Sequence, residues 1–148
     1  MILSDADIKN SIKKGEISIE PFNPANLTPN GYDLSIGEIM VDGEFTDNAV
    51  ISPMKWFAIG TLEYVKLGNK AAQLWLRSTY ARKGLLSSFG KVDIGFEGTL
   101  TISCFNAKEE IELSSGERFC QIVFEEIKSM PEKLYDGKYK AQKGIKLE

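Results

Sequence analysis

Residues 99–105 read Thr-Leu-Thr-Ile-Ser-Cys-Phe, the clearest strand pattern in the chain, because polar and apolar side chains alternate along them. Successive side chains of a β-strand point to opposite faces of a sheet, so Leu100, Ile102 and Cys104 share one face. The hydroxyl-bearing residues between them share the other face. We therefore predict a strand with an apolar side and a polar side, with Ser103 on the polar side.

The rest of the chain from residue 16 onward has a similar texture. Short runs of β-branched and aromatic residues are separated by clusters of Pro, Gly, Asn and Asp, such as 21–30 and 42–44. Many short strands at close spacing predict a sandwich, a barrel or a jelly-roll. The predicted strands are residues 17–19, 32–36, 56–63, 72–76, 99–105, 110–113 and 119–125.

The N-terminus predicts one short helix. Ser4 and Asp7 have the spacing of a capping box, so we expect the helix to begin at about Asp5. Gly15 should end it. Ile8 lies on the side that would dock on the sheet.

The length of 148 residues predicts a single domain over residues 1–148. Residues 136–148 are rich in Lys and Gly and have no apolar period, which predicts a mobile segment. We assign about 132–148 to a C-terminal tail.

The chain contains no histidine, and this absence excludes several classes of enzyme. Ser-His-Asp triads, Cys-His pairs and H-E-x-x-H zinc sites all require one, so acid–base chemistry must fall to carboxylates. The zinc nucleobase deaminases also require a C-x-x-C pair. Cys104 and Cys120 are the only cysteines and are predicted to be reduced core thiols.

The net charge of −3 argues against general binding to nucleic acid, although a few cations could still cluster at a local phosphate site. No window is long and apolar enough to span a membrane, so we expect no membrane partner. The opening residues lack the pattern of a secretory signal. We therefore expect a cytoplasmic location.

Two segments contain the residues best suited to chemistry. Residues 77–84 place two Arg, a Lys and two hydroxyl groups before a glycine, and these donors suit phosphate oxygens. The alternative is a solvated turn between strands. Residues 90–98 place Asp93 between glycines that permit a tight hairpin, so Asp93 could also be only a turn residue.

Five motifs then follow one another along the chain. They are Pro29-Asn30-Gly31-Tyr32-Asp33-Leu34 with Gly37, Arg77 to Gly84, Val92-Asp93 with Gly95-Phe96-Glu97-Gly98, Gly116-Glu117-Arg118-Phe119 with Gln121, and Lys138-Tyr139 with Gln142 and Gly144. In this order they resemble the motifs of the dCTP deaminase and trimeric dUTPase superfamily. The opening residues 1–8 and residues 19–22 resemble the start of a dCTP deaminase, so the resemblance runs nearly end to end.

The resemblance implies a mainly β fold, a distorted jelly-roll or β-barrel of the dUTPase-like type with a short N-terminal helix. It also implies a homotrimer with active sites shared between subunits and a deoxyribonucleoside triphosphate substrate, dUTP or dCTP. Mg²⁺ would be the cofactor. The substrate phosphates, rather than protein ligands, would hold most of it.

Roles for individual residues follow from the same resemblance. Phosphate contacts are assigned to Arg77, Ser78, Thr79 and Gln121, with Tyr135, Lys138 and Gln142 closing over the substrate from the tail. Contacts to the base and sugar are assigned to Phe89, Gly90, Val92 and Phe96. Catalytic roles are assigned to Asp93 as general base, Ser78 and Arg82.

Structural roles are also open for two residues of the motifs. Arg82 could form an ion pair between subunits instead of contacting substrate. Asp33 is expected chiefly to hydrogen-bond the backbone near residues 29–31.

Two positions depart from the deaminase pattern. Ser103 stands where dCTP deaminases carry a pocket-facing Glu, and Phe89 stands where that family has a small residue beside the base. A serine hydroxyl without histidine cannot readily replace a carboxyl that moves protons. The leading hypothesis is therefore a dUTP diphosphatase. The alternatives are a dCTP deaminase, alone or bifunctional, and a non-catalytic nucleotide-binding homologue.

Overall fold

The computed structural model describes all 148 residues and confirms a mainly β fold, with 45% of residues in strands and 11% in helices. The helices are α1 (Asp5–Lys13) and α2 (Ser78–Arg82), and a 3₁₀ turn spans Pro24–Asn26. The strands are β1 (Ser18–Glu20), β2 (Leu27–Thr28), β3 (Gly31–Val41), β4 (Glu44–Thr46), β5 (Asn48–Ile51), β6 (Lys55–Thr61), β7 (Tyr64–Lys66), β8 (Ala71–Leu76), β9 (Leu85–Ser87), β10 (Lys91–Val92), β11 (Glu97–Gly98), β12 (Thr101–Asn106), β13 (Ile111–Ser114) and β14 (Arg118–Glu125).

Nine of the strands form one sheet that curls into half a barrel. Seven follow the order β10-β8-β14-β3-β6-β12-β9, and β2 and β4 pair with β3. Strands β1, β7 and β11 form a second sheet, and β5 pairs with β13. A cluster of 28 buried apolar residues draws on all three sheets, so one contiguous core supports the pocket described below.

Strand β12 has the alternation that the sequence predicted. Ile102 and Cys104 are buried, whereas Thr101 and Ser103 are only half-buried on the opposite face. Thr99 is the exception to the prediction, because it lies before the strand and is buried under the tail, whose Gln142 carbonyl accepts from its backbone N–H at 2.9 Å.

Helix α1 begins at Asp5 as predicted. The Ser4 hydroxyl oxygen accepts a hydrogen bond from the backbone N–H of Asp7, and the Asp7 carboxylate accepts one from the Ser4 N–H, which completes the capping box. Gly15 follows the helix with φ of +72°, a conformation in the left-handed region that glycine adopts easily. Ile8, a residue of this helix, is fully buried. Neither helix is long and apolar enough to cross a membrane.

The two cysteines are free and buried, as predicted. Burial raises the pKa of Cys104 to about 12, because a thiolate is poorly solvated in an apolar interior. Both thiols are therefore protonated parts of the core.

The C-terminal segment makes specific backbone contacts that its composition did not predict. Residues 141–146 lie along β11 and β12, and Gln142 forms a parallel bridge with Gly98. The Ala141 N–H donates to the Glu97 carbonyl at 2.7 Å, and the Lys146 N–H donates to the Thr101 hydroxyl at 2.9 Å. Backbone pairing of this kind requires no apolar periodicity, which explains why composition gave no sign of it.

Candidate active site

A pocket of about 480 Å³ lies beside β10, β12, the β10–β11 loop and the docked tail. It brings together seven of the residues that the sequence assigned to the site, although they are distant along the chain. These are Gly90, Val92, Asp93, Phe96, Ser103, Tyr135 and Gln142.

Asp93 is the only carboxylate on the pocket wall. It is exposed, and its side chain makes no hydrogen bond or ion pair within the chain. Its backbone carbonyl accepts from the Phe96 N–H at 3.0 Å and Gly95 has φ of +85°, so the loop turns tightly around the acid. Val92 pairs with Ala72 of β8, which anchors this loop to the large sheet.

Lys91 and Lys146 are the two cations on the pocket wall. Lys91 forms an ion pair with Glu125 of β14, and this contact lowers the pKa of the Glu125 carboxyl. Lys146 makes no ion pair within the chain. The pocket wall therefore carries one unpaired carboxylate, Asp93, and one unpaired cation, Lys146, which come from elements distant in the sequence.

Ser103 is held by two neighbouring strands. The Trp56 indole N–H of β6 donates to the Ser103 hydroxyl oxygen at 2.6 Å. The Ser87 hydroxyl of β9 donates to the Ser103 backbone carbonyl at 2.7 Å. Ser103 thus lies on the pocket wall, on the face that the sequence indicated, and carries a hydroxyl rather than a carboxyl.

Gln142 connects the tail to the pocket. Its side-chain amide donates to the Thr99 carbonyl at 2.7 Å, and the residue is 7% exposed. Its side-chain oxygen is buried without a hydrogen-bond partner, the one such side-chain atom in the chain. Buried polar atoms are usually paired, so this unpaired oxygen is an exception within the contact between the tail and the pocket.

The aromatic residues of the tail close one side of the pocket. The Tyr135 ring packs against the Phe96 ring with 5.7 Å between centroids. The Tyr135 hydroxyl accepts from the Tyr139 backbone N–H at 3.2 Å. Lys138 lies over the Tyr139 ring and does not line the pocket, unlike the two tyrosines.

Arg77 lies in a different cluster, away from the pocket wall. Its Nε is 3.0 Å from Asp33 Oδ2, and Arg118 Nη1 is 3.7 Å from the same oxygen. Burial raises the pKa of the Asp33 carboxyl, and the two guanidinium groups oppose that rise.

The expected hydrogen bonding of Asp33 to the backbone near residues 29–31 is therefore wrong. Asp33 is an ion-pair partner instead. The reason is strand pairing: Asp33 lies opposite Gln121 in β14, and β14 also pairs with β8, after which Arg77 follows directly.

Three further candidates for phosphate contact or catalysis lie on α2, directly after Arg77, and a fourth, Gln121, lies on β14. Ser78, Thr79 and Arg82 are exposed on α2, a single helical turn where the sequence suggested a phosphate-binding segment or a plain turn. Gln121 donates from its side-chain amide to the Thr28 hydroxyl at 2.7 Å. Phe89 is half-buried against the core and is not on the pocket wall.

One chain therefore separates the predicted site into two groups. The pocket group contains Asp93, Ser103 and the tail residues, whereas the second group contains Arg77, α2 and Gln121. No sequence pattern indicated Trp56 as a neighbour of the pocket. It is 42% exposed, and only the pairing of β6 with β12 could have placed it beside Ser103.

Two relatives resemble this chain along nearly its whole length. A protein named probable deoxyuridine 5'-triphosphate nucleotidohydrolase, from Sulfolobus islandicus rod-shaped virus 1, is 42% identical over 154 residues, covering 99% of this chain and 98% of that protein. A dCTP deaminase from Thermococcus sibiricus is 43% identical over 155 residues, covering 99% of this chain and 96% of that protein.

Solved structures share the fold at lower identity. The dCTP deaminase from Agrobacterium tumefaciens has a TM-score of 0.70 and 18% identity, covering 83% of this chain and 47% of that one. The dUTPase of Staphylococcus bacteriophage 80alpha, solved with dUPNHPP, has a TM-score of 0.55 and 20% identity, covering 82% of this chain and 88% of that one.

The family described as dCTP deaminase-like matches residues 2–46 and 38–127. These segments include the first four motifs and the helix that precedes them. The match confirms the resemblance inferred from the order of the motifs, and the chain belongs to the dCTP deaminase-like family.

Proposed function

We propose that this protein is a dUTP diphosphatase, which converts dUTP and water to dUMP and pyrophosphate in the cytoplasm. The observation that carries the proposal is the set of groups on the pocket wall. Asp93 is its only carboxylate, and Ser103 provides a hydroxyl where the deaminase motif has a carboxyl.

Hydrolysis of dUTP requires little from the protein beyond positioning, charge stabilisation and one general base. Water attacks the α-phosphorus, and a carboxylate orients and deprotonates it. Asp93 has no partner within the chain, so its carboxylate is free to accept that proton. Phe96 would lie beside the deoxyribose, and Gly90 and Val92 beside the base.

The phosphate groups of the substrate require cations that the pocket of one chain provides only in part. Arg77, Ser78, Thr79 and Gln121 lie in the second group, which supports a site completed by another protomer. We therefore propose a homotrimer in which the pocket of one subunit meets the Arg77 region of the next. Tyr135, Lys138 and Gln142 would cover the substrate from the tail.

Mg²⁺ is proposed as the cofactor, bound mainly by the substrate phosphates. The chain has no cluster of three or more acidic, cysteine or histidine residues that could hold a metal. Mg²⁺ commonly keeps several waters and binds through substrate phosphates rather than in an all-protein cage, which suits a chain without such a cluster. When bound, the ion would neutralise charge on the phosphates.

The second candidate is a dCTP deaminase, alone or bifunctional. The name of the Thermococcus relative favours it, because that protein is as similar to this chain as the viral dUTPase relative is. A deaminase must deliver a proton to the leaving amine, and the Ser103 hydroxyl held by Trp56 is poorly suited to that transfer. A non-catalytic nucleotide-binding protein is the remaining alternative.

Pyrophosphate and ammonia release from dUTP and dCTP, measured with Mg²⁺, test the proposal. We expect pyrophosphate from dUTP, no ammonia from dCTP, and a fall in the dUTP rate of at least about 100-fold in Asp93→Asn. Glu97→Gln is the matched control, because Glu97 is a nearby acid that pairs with Lys66 at 3.3 Å and does not line the pocket.

Three outcomes would contradict the proposed reaction or the role of Asp93. Full dUTP turnover by Asp93→Asn would remove Asp93 from the base role. Ammonia release from dCTP by the parent protein would establish the deaminase alternative. Binding of dUTP without any product would leave the non-catalytic alternative.

A further inference from the structure

We infer that the Ser103 hydroxyl recognises the pyrimidine base and that Trp56 sets its preference for uracil over cytosine. This inference rests on the proposed function, because it takes the pocket as the site of the base. The two bases differ at C4, where uracil carries a carbonyl oxygen that accepts and cytosine carries an amine that donates. A side chain that offers a hydrogen at this edge therefore favours uracil.

The hydrogen bond between Trp56 and Ser103 determines what Ser103 can offer. An indole N–H is only a donor, whereas a hydroxyl has one hydrogen and two lone pairs. Since the Trp56 N–H lies 2.6 Å from Ser103 Oγ, one lone pair is occupied. No other hydrogen bond of the chain involves this hydroxyl, so its own hydrogen is free to donate to a ligand.

The position of Ser103 is rigid enough for discrimination. It lies in the middle of β12, which pairs with β6 on one side and with β9 on the other. The Ser87 hydroxyl fixes its carbonyl from β9, while Trp56, opposite Phe105 in the register, fixes its hydroxyl from β6. Sites built on strands hold their side chains more precisely than sites on loops.

The two bases would then meet different environments at Ser103. A hydroxyl that accepts one hydrogen bond becomes a better donor, so it would bind the uracil carbonyl well. The cytosine amine could use only the remaining lone pair of the Ser103 oxygen, and it would leave the Ser103 hydrogen without an acceptor. An unpaired polar group in a closed pocket is costly, and this cost disfavours cytosine.

Calorimetric binding of dUMP and dCMP tests the inference without requiring turnover. Ser103→Ala should lower the ratio of dUMP affinity to dCMP affinity by about 3- to 10-fold, the loss expected for one hydrogen bond. Trp56→Phe should lower the same ratio by less and should have no further effect in the Ser103→Ala background, because it acts through Ser103. Ser103→Thr keeps a hydroxyl and should keep the ratio.

Trp75→Phe is the control for Trp56→Phe, since Trp75 is an exposed tryptophan whose indole N–H has no hydrogen bond in the chain. The ratio of dUMP affinity to dCMP affinity in Trp75→Phe should equal that of the parent protein. Urea unfolding of each variant separates a change in selectivity from a loss of folding, because misfolding lowers affinity for both nucleotides equally.

The inference and the proposed function can fail separately. Selective dUMP binding that depends on Ser103, in a protein that releases no pyrophosphate from dUTP, would retain the inference and overturn the proposed reaction. An unchanged ratio in Ser103→Ala, a ratio that rises, or a parent protein that binds neither nucleotide would overturn the inference. Additive effects of the two substitutions would remove Trp56 from its positioning role.

Discussion

Asp93 and Asp33 are both motif residues of this chain, but their surroundings are opposite. Asp93 is exposed on the pocket wall and has no partner, whereas Asp33 is 4% exposed and contacts two guanidinium groups. A carboxylate without a partner can bind water or a ligand, while a carboxylate held by two arginines mainly organises its neighbours. Membership of a motif therefore does not by itself assign a residue to chemistry.

The same contrast extends to the regions around the two acids. The pocket has unpartnered polar groups, namely the Asp93 carboxylate, the Ser103 hydrogen and the Gln142 oxygen. The Asp33 region presents exposed donors on α2 next to an ion pair that is already formed. In the proposed site the pocket contributes the carboxylate and the Asp33 region contributes phosphate donors, which is why the proposal includes a second protomer.

The largest expected effect is the recovery of dUTP turnover when two inactive variants are mixed. Asp93→Asn and Arg77→Ala should each lower dUTP turnover by at least about 100-fold, because one removes the proposed base and the other a proposed phosphate contact. If the two groups act from different subunits, mixed oligomers will contain some sites with both groups intact. Activity after unfolding and refolding the two variants together should then rise well above that of either variant.

The control is Asp93→Asn mixed with the double variant Asp93→Asn/Arg77→Ala, which contains no intact carboxylate at position 93. That mixture should remain inactive. If mass measurements show mixed oligomers of the first pair and activity still does not recover, the two regions do not complete one site across subunits.

Alanine at the two aspartates should affect stability very differently. Asp33→Ala leaves a small buried space and removes the shared partner of Arg77 and Arg118, so we expect the free energy of unfolding to fall by about 2 kcal/mol. Asp93→Ala removes an exposed side chain without a partner and should change it by less than about 0.5 kcal/mol. Urea denaturation at neutral pH measures both.

Equal losses of unfolding free energy in Asp33→Ala and Asp93→Ala would contradict the distinction between a buried, paired carboxylate and an exposed, unpaired one. A large loss in Asp93→Ala would mean that the β10–β11 loop depends on the carboxylate. No loss in Asp33→Ala would mean that the two guanidinium groups are satisfied by solvent.

Local patterns predicted the parts of the fold that depend on neighbouring residues. The alternation in β12, the capping box at Ser4 and the β-rich texture are properties of adjacent residues, and the structure has all three. Strand alternation placed Ser103 on the polar face of β12 and glycine spacing placed Asp93 in a tight turn, but the assignment of both residues to the site came from the resemblance of the ordered motifs. The pocket brings both to its wall.

Strand pairing explains what the sequence could not predict. The contacts of Asp33 with Arg77 and of Trp56 with Ser103 join residues 44 and 47 positions apart in the sequence. No local pattern indicates which strands will be neighbours. The resemblance placed the tail over the site, but no local pattern indicated that the tail would be held to Gly98 and Thr99 by backbone hydrogen bonds and by one buried amide.

The smallest expected effect concerns Glu63. Like Asp33 it is a buried acid, but it has no ion-pair partner. It is 2% exposed, and its carboxylate accepts from the Ser35 N–H at 2.8 Å. Burial raises the pKa of the Glu63 carboxyl above its ordinary value of 4.5. Between pH 4.5 and the raised pKa, Glu63 therefore keeps its proton in the folded protein, whereas the unfolded chain has released it.

The sign of the pH dependence follows from this proton. As the pH rises from 4.5 through the raised pKa, Glu63 lowers the free energy of unfolding, because the charged form is less favourable in the folded protein. Glu63→Gln keeps an acceptor for the Ser35 N–H but cannot ionise, so it should gain stability relative to the parent protein over this range. Urea unfolding at several pH values measures the difference, and a constant difference across the range would show that Glu63 does not retain its proton.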